Sequence, residues 1–412
     1  MQMKPFKAIR PEPRFAGVCS ALPYDVMSGD EARKIADGNP YTFLRVDRGE
    51  INLSGVAFDD KRAYEEARNR LAELLKEGVY GEDNKPKFYV YRLVWKGRAQ
   101  TGVVGCASVD DYLSGKIKKH ELTRADKEED RVRHITALNA HTGPIFLAYK
   151  DDETLKGLIL DAVKEAPLYD FTAEDGVRHT VWAVESAEAN ENIQGAFAKI
   201  PTLYIADGHH RAASAVRVAL QKRRENPAHN GTEEFNYFLS VAFPASDLQI
   251  LPYNRLLKGL NGLSQEAFLR QVEKRLGKVE PYEGEGAYSP TEAHTAGLYL
   301  GGKWYVVRFH KRLCTAENPV GRLDCDILQK NLLAPVLGID DPRTDGRIDF
   351  AGGIRGLSYL EKRCAEDCAA AFALYPTSLN ELFEVADAGE IMPPKSTWFE
   401  PKLRSGLLLH KM

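Results

Sequence analysis

The sequence contains no apolar run of about 18 residues, the length that a membrane-spanning helix needs. Its first residues, Met1–Phe6, also lack the apolar core of a secretory signal peptide. Internal repeats and low-complexity tracts are missing too. We therefore expect a cytoplasmic protein that keeps its thiols reduced and has no membrane partner.

Cysteine and net charge are both low. The six cysteines lie at positions 19, 106, 314, 325, 364 and 368, and none of their spacings is typical of a zinc site. They are predicted to be small buried hydrophobic residues, and no metal ligands are assigned. The formal net charge is −3, and Lys222–Arg224 is the only basic run. Because DNA binding needs many cationic contacts to phosphates, nucleic acid is not expected as the main partner.

What the sequence does contain is a globular composition, with 43% hydrophobic and 28% charged residues. Amphipathic helical patterns, as in 59–78, alternate with β-rich runs, as in 87–95. This pattern predicts a mixed α/β fold of the α+β class. A chain of 412 residues exceeds one ordinary hydrophobic core. We therefore predict two regions, residues 1–245 and 246–412.

The most informative stretch is 202–216. An apolar, β-favouring run ends at Asp207, and a helical pattern follows directly after Gly208. Glycine lets the backbone turn and approach a ligand, and the first N–H groups of the helix point towards it. His209, His210 and Arg211 add donors, and arginine can grip a phosphate with two hydrogen bonds. The stretch predicts a phosphate site. The alternative is that Asp207 caps the helix and the following His and Arg residues are solvated.

A second candidate, Asp25, lies well before this predicted phosphate site. Asp25 stands just before Ser28 and Glu31, which have the spacing of a capping box and predict a helix over 30–37. The carboxylate of Asp25 could therefore face a site at the start of this helix. A turn-forming aspartate is an equally good interpretation.

The stretch 117–147 is rich in polar residues. His120, Glu121 and Arg124 are candidates for a base or an anion contact. His120 and Glu121 lack the second histidine of a zinc-protease helix, so zinc is not implied. The carboxylate of Glu121, beside a histidine and an arginine, could serve as a base or as a metal ligand if it folds over the phosphate site. A solvated, salt-bridged helix explains most charges of this stretch as well. His179, further along the chain, lies in a predicted strand and is interpreted as structural.

Two segments of the second half carry the remaining candidates. Asn254 and Arg255 follow a proline before a predicted helix, and they could contact a ligand. Lys395, Ser396 and Thr397 follow two prolines in an extended loop, where one cation and two hydroxyls would suit an anion. An ordered surface loop could hold the same residues.

The box and several other segments carry a family resemblance. Asp207–Arg211 resembles the phosphate-binding box of the ParB/sulfiredoxin-like superfamily, in which free-serine kinases carry an Asp-Gly-His-His-Arg version. The whole chain resembles the domain-of-unknown-function family numbered 1015, often labelled ParB-like. Besides the box, the segments that carry this resemblance are Pro5–Pro11, Leu22–Val26, Asn39–Tyr41, His120–Thr123, Gly143–Leu147 and Met392–Phe399.

The resemblance implies a ParB/sulfiredoxin-like core with large insertions and a C-terminal α/β region that closes over the site. It also implies ATP or ADP with Mg²⁺, and places the nucleotide phosphates on Gly208–Arg211. Free-serine kinases use a glutamate upstream of the box as base, so Glu121 is preferred here ahead of Asp25. Asp207 and His210 complete the catalytic candidates. The position of the reactive sulfiredoxin cysteine is His209 in this sequence, so sulfinic-acid chemistry is not expected.

Two classes of function follow. The first is an enzyme, a nucleotide-dependent kinase or related phosphotransferase or phosphatase acting on a small hydroxylated metabolite such as serine or phosphoserine. The second is a ParB-like nucleotide-binding regulator, associated with DNA or partners, without metabolic turnover. The near-neutral charge and the polar segments outside the box favour the enzyme.

Overall fold

The computed structural model describes all residues, Met1–Met412, and they form two units. Unit 1 consists of Met1–Lys118, Thr123–Leu248 and Pro401–Met412. Unit 2 consists of Lys119–Leu122 and Gln249–Glu400. Within the predicted region 246–412, the last twelve residues, Pro401–Met412, belong to unit 1. Helices and strands are mixed throughout, so the predicted α+β class is confirmed.

Unit 1 is built on a nine-stranded mixed sheet with the order β6-β11-β8-β12-β5-β4-β10-β9, to which β1 adds by pairing with β5. Its strands are β1 Met3–Lys4, β4 Tyr89–Trp95, β5 Arg98–Ser108, β6 Ile117–Lys118, β8 Ile145–Tyr149, β9 Tyr169–Thr172, β10 Arg178–Ala183, β11 Leu203–Asp207 and β12 Tyr237–Pro244. The long hairpin of β4 and β5 turns at Gly97, whose φ of 78° suits glycine.

The helices of unit 1 are α1 Ala16–Cys19, α2 Gly29–Ala36, α3 Leu44–Asp47, α4 Lys61–Lys76, α5 Val109–Leu113, α6 Ala125–Leu138, α7 Glu153–Ala162, α8 Ala187–Lys199 and α9 His209–Glu225. Helix α9 buries Ala212, Ala215 and Ala219 in the same core as the central strands. Helix α6 packs along it, and the Ser214 hydroxyl donates to the Glu128 carbonyl. This packing fixes the start of helix α9 relative to the sheet.

A four-stranded sheet of order β3-β2-β21-β7 also belongs to unit 1. Its strands are β2 Ala8–Pro11, β3 Tyr80–Glu82, β7 Ala140–His141 and β21 Leu409–Lys411. The end of the chain thus pairs with strands from its first half. The Tyr80 hydroxyl, which is buried, donates to the Gly406 carbonyl at 2.7 Å and adds a further link.

Unit 2 contains a six-stranded sheet of order β15-β17-β16-β19-β14-β18 and a small β13-β20 pair. Its strands are β13 Ile250–Leu251, β14 Tyr253–Leu257, β15 Gly277–Pro281, β16 Thr295–Leu300, β17 Lys303–Phe309, β18 Ile348–Gly352, β19 Ala370–Leu374 and β20 Trp398–Phe399. Its helices are α10 Gln265–Arg275, α11 Asp324–Leu328, α12 Ala334–Leu337, α13 Leu357–Glu366 and α14 Leu379–Asp387. A π-helical turn, Gln329–Leu333, joins α11 to α12.

Two sequence predictions need correction. The sequence predicts a helix over 364–372 followed by a strand over 372–375, and the boundary between them is wrong. Helix α13 ends at Glu366, and the strand is Ala370–Leu374, which is paired on both sides. The second correction concerns the polar stretch after Lys118, whose charges were explained by a solvated helix. Asp130, Arg131 and His134 are buried on helix α6.

None of the helices is both long and apolar enough to span a membrane. Among the cysteines, Cys19, Cys106, Cys325 and Cys368 are buried, as predicted, and the other two are half-buried. His179 is fully buried. Its Nδ1 lies 2.7 Å from the Tyr91 hydroxyl, and Arg404 donates to its Nε2. Burial and Arg404 lower the pKa of His179 to about 3, which agrees with a structural role.

Candidate functional site

The box begins where strand β11 ends. Asp207 is the last residue of the strand, and helix α9 starts at His209. Gly208 between them adopts φ 92° and ψ 32°, a left-handed conformation that glycine tolerates. The register of β11 against β8 shifts between Ile205 and Asp207. Such an irregularity bends a strand and changes the direction of its side chains. No side chain caps helix α9. An anion could therefore bind at its first turn, where the helix dipole attracts negative charge and no capping side chain competes.

Asp207 is held between two cations. Its Oδ2 accepts from Arg211 Nη2 at 2.8 Å, and its Oδ1 accepts from Lys402 Nζ at 2.9 Å. Burial alone would raise the pKa of Asp207, but Lys402 and Arg211 outweigh this effect and hold the pKa well below its usual range. Asp207 therefore stays ionised and orients Arg211. The alternative of a helix-capping Asp207 does not apply, because Gly208 is the N-cap.

Arg211 is buried, with 9% of its surface exposed. Besides Asp207 it binds the Pro144 carbonyl through Nη1 at 2.5 Å, whereas its Nε is buried and has no hydrogen-bond partner in the protein. A Cβ at position 208 would lie 3.0 Å from the guanidinium. Glycine is thus needed both for the turn and for the approach of Arg211.

The two histidines of the box differ. His209 is buried, whereas His210 is half-buried and its Nε2 accepts the Arg124 backbone N–H at 3.0 Å. A neutral His210 therefore carries its proton on Nδ1. Arg124 itself pairs with Asp126 on the surface. The structure thus brings Arg124 to the box through its backbone.

A recess of about 30 Å³ borders Arg211. This volume is sufficient for a water-sized group. A second buried nitrogen without a partner, Nε2 of His141, belongs to a residue of the same wall. The polar residues that line this Arg211 recess are Tyr24, Asp47, Arg131, His134, His141, Thr142, Arg211 and Ser405.

A cavity of about 260 Å³ adjoins the Arg211 recess, because the two share Tyr24, Asp47, Arg131 and His134 as wall residues. Asp25 is exposed and lines this larger space, which we call the Asp25 cavity. The charged residues in its wall are Asp25, Asp47, Arg48, Glu50, Lys127, Asp130 and Arg131. Such mixed walls suit a small ligand that carries both charges.

The side chains of helix α6 set the charge of this cavity. Arg131 Nε donates to Asp130 at 2.7 Å, and its guanidinium stacks 3.9 Å from the Tyr24 ring centre. Burial would raise the pKa of Asp130, but Arg131 holds it below its usual value. Burial, reinforced by Arg131, lowers the pKa of His134 to about 4, so His134 is neutral at pH 7.

The candidates of unit 2 are largely engaged within that unit. Asn254 accepts the Leu374 N–H at 3.1 Å, and buried Arg255 donates to the Tyr253 and Lys395 carbonyls. Burial lowers the pKa of Arg255, and no carboxylate pairs with it. It holds the 393–397 loop in place. Ligand contact for Asn254 and Arg255 remains a prediction.

The 393–397 loop is similarly ordered. The Ser396 hydroxyl donates to the Pro393 carbonyl at 2.7 Å, and the Lys395 ammonium lies 5.6 Å from the Tyr253 ring centre. Thr397 Oγ1 lies 3.4 Å from His120 Nε2, so the predicted segments around His120 and Thr397 meet in unit 2. Glu121 also belongs to unit 2. Its role as base stays a prediction.

The candidates predicted from the sequence do not include Lys402, Arg131, His134 or His141. Arg131, His134, Ile135 and Leu138 lie at helical spacing on one face, which could have indicated that the charged residues face inward with the apolar ones. Lys402 and His141 gave no local signal, because their importance arises from contacts with residues far away in the chain.

No three or more His, Cys, Asp or Glu side chains are grouped so that they could hold a metal ion. Magnesium usually binds through one or two carboxylates, nucleotide phosphates and waters, so such a group is not required. Asp25 fits this kind of binding because it is exposed on the cavity wall. Asp207 does not, since a cation already occupies each of its oxygens.

Fold and site together define an α/β protein with a strand–glycine–helix box that adjoins a charged cavity. The chain belongs to the family described as a protein of unknown function (DUF1015), whose model matches residues 3–326. The box lies within this range, and the 392–399 segment lies beyond it. No match to the chain is found among curated proteins.

Several solved structures are similar in part. A variant of a free serine kinase in complex with ADP gives a TM-score of 0.37 at 16% identity, covering 74% of this chain and 92% of that chain. SbnI with a C-terminal truncation, from Staphylococcus aureus, gives 0.38 at 12% identity, covering 74% and 87%. A conserved hypothetical protein from Pyrococcus furiosus gives 0.35 at 15% identity, covering 74% and 94%.

Proposed function

We propose that this protein is a nucleotide-dependent phosphotransferase that acts on a small hydroxylated metabolite, with serine as the first candidate. The observation that carries the proposal is the junction at Arg211. This residue links the uncapped start of helix α9 to the Arg211 recess and, through shared walls, to the Asp25 cavity. A donor site and an acceptor site would thus be neighbours.

The nucleotide phosphates would bind at Gly208–Arg211. A helix start that no side chain caps attracts anions through its dipole and its backbone N–H groups. The proton on His210 Nδ1 makes that nitrogen a donor. This assignment agrees with the resemblance of Asp207–Arg211 to the box of free-serine kinases. Asp207 would position Arg211 rather than react, because both of its oxygens are ion-paired.

The acceptor would bind in the Asp25 cavity. An amino acid carries one ammonium and one carboxylate, and the wall offers both carboxylates, such as Asp25, and cations, such as Arg131 and Lys127. Phosphoryl transfer depends mainly on positioning and charge neutralisation, and these groups supply both. ATP or ADP with Mg²⁺ is the proposed cofactor. Mg²⁺ would neutralise phosphate charge, with Asp25 as its protein ligand.

The first prediction is that purified protein with ATP or ADP, Mg²⁺ and L-serine forms phosphoserine. His210→Ala should reduce the rate by at least about 100-fold, because a donor that neutralises developing phosphate charge is lost. The matched control is His229→Ala, which removes a half-buried histidine that lines neither cavity and should leave the rate unchanged. Mass spectrometry of the product measures both.

Nucleotide binding without phosphorylation of any compound in a panel of small alcohols would contradict the enzyme and support the nucleotide-binding regulator. Binding to duplex DNA that weakens as salt is added would support that alternative further.

A further inference from the structure

Two buried histidines face each other across neighbouring strands. His141 on β7 and His410 on β21 are register partners, and 6% and 1% of their surfaces are exposed. Their Nδ1 atoms lie 3.3 Å apart. On the other side, His410 Nε2 lies 2.7 Å from Glu234 Oε2. Glu234, His410 and His141 thus form one hydrogen-bonded chain.

These hydrogen bonds fix the tautomers of both histidine rings. A carboxylate only accepts, so His410 must donate from Nε2 to Glu234. Burial lowers the pKa of His410 despite Glu234, so the ring is neutral and its Nδ1 holds a lone pair. His141 must then donate from Nδ1. Burial and His410 lower the pKa of His141 well below its usual value, so its Nε2 also holds a lone pair.

His141, which carries this lone pair, lines the Arg211 recess together with Arg211. His141 Nε2 is an acceptor and Arg211 Nε is a donor, and both are buried without a partner in the protein. An ionised phosphate oxygen would satisfy Arg211 but would be repelled by the lone pair of His141. The oxygen of a hydroxyl group satisfies both, because it can donate one hydrogen bond and accept another.

We propose that the Arg211 recess binds a hydroxyl oxygen between Arg211 Nε and His141 Nε2, and that His141 is the general base that takes its proton. This inference rests on the proposed phosphotransferase function. The O–H proton moves to His141 Nε2 while the oxygen forms a bond to phosphorus. The bond from phosphorus to the nucleotide oxygen breaks, and its electron pair stays on the nucleotide.

Glu234 and His410 act as positioning residues. They hold His141 in the reactive tautomer, because His141 Nδ1 donates to His410 and His410 Nε2 donates to Glu234. Other charged or titratable groups surround the chain. Lys4 pairs with Glu234 at 2.9 Å, and Asp47, Arg131 and His134 line the same recess as His141. His141 would take the role that the sequence analysis gave to Glu121.

Nitrogen-15 NMR of histidine-labelled, full-length protein near pH 7 tests the hydrogen-bonded chain of Glu234, His410 and His141 and needs no activity assay. His141 should carry its proton on Nδ1 and His410 on Nε2. A proton on His141 Nε2, or on both of its nitrogens, would overturn the proposal. The assignment of the two rings comes from the spectra of His141→Gln and His410→Gln.

Kinetics of the same protein test the catalytic role. His141→Gln should lower kcat for phosphoryl transfer by about 100-fold or more, the typical contribution of general base catalysis, while the Kd of the nucleotide changes less than about twofold. Glu234→Gln should lower kcat by about tenfold and shift the pH–rate profile. The control Lys156→Met breaks an exposed ion pair with Glu153 and should change neither.

The hydroxyl can come from a metabolite or from water. Transfer to serine identifies the metabolite hydroxyl, whereas release of inorganic phosphate without a phosphorylated acceptor identifies water. An unchanged kcat in His141→Gln, with nucleotide still bound, would refute the base and leave the proposed function standing. If the wild-type protein binds no nucleotide, the proposed function is refuted. The tautomers seen by NMR would still show whether Glu234, His410 and His141 form the hydrogen-bonded chain.

Discussion

At the scale of single residues, the site depends on ion pairs that hold cations in place. Asp207 is the clearest case, because it orients Arg211 through one oxygen and binds Lys402 through the other. Partly buried pairs of this kind contribute more than exposed ones, because water screens them less. Asp207, one of the catalytic candidates of the sequence, thus positions Arg211 through its ion pair.

Lys402→Met should lower the free energy of unfolding by about 2 kcal/mol at pH 7, because it leaves half of a partly buried charge pair unmatched. Lys164→Met is the matched control, since Lys164 pairs with Asp161 on the exposed surface and should change stability by less than about 0.5 kcal/mol. Urea unfolding measures both values. Equal effects of the two substitutions would contradict the account.

The pH dependence follows from the lowered pKa of Asp207. A carboxyl whose pKa is lower in the folded state stabilises the fold fully above its unfolded pKa of about 4. That contribution is lost as the pH falls from there towards the lower folded value. The destabilisation caused by Lys402→Met should therefore be constant between about pH 5 and 8 and should shrink below about pH 4.

At the scale of elements, the junction of β11 and α9 requires glycine. Gly208→Ala should destabilise the protein by about 1–2 kcal/mol, because a side chain there is strained at φ 92° and would press on Arg211. Gly157→Ala is the matched control within helix α7, where no atom lies near the new Cβ, and it should stabilise by roughly 0.5–1 kcal/mol. Thermal unfolding distinguishes them, and a neutral Gly208→Ala would contradict the assigned strain.

Elements whose signals are local were predicted well. The capping box predicted at Ser28 is present, since it needs only a serine and a glutamate three residues apart. Ser378 and Glu381 have the same spacing and form a second capping box. The Ala370–Leu374 strand was predicted to start two residues later, at 372, because a short apolar run fits a helix or a strand equally. Its pairing with β14 and β16 decides the outcome.

At the scale of the whole chain, the candidate site draws on distant segments. The box was recognisable from the sequence because glycine, histidine and arginine follow a strand directly. The sequence did not indicate the roles of Lys402, His410 and His141. The C-terminal residues pair with strands of unit 1, and no sequence pattern predicts this pairing. The burial of Asp130 and Arg131 was missed for a related reason. A charged helix face is ordinarily solvated, and here tertiary contacts bury it.

The most direct test of the central claim is a crystal structure of the protein with ADP and Mg²⁺. The account predicts phosphate oxygens within about 3 Å of the N–H groups at the start of helix α9, next to Gly208 and His210. A nucleotide bound elsewhere, with nothing at Gly208–Arg211, would contradict it.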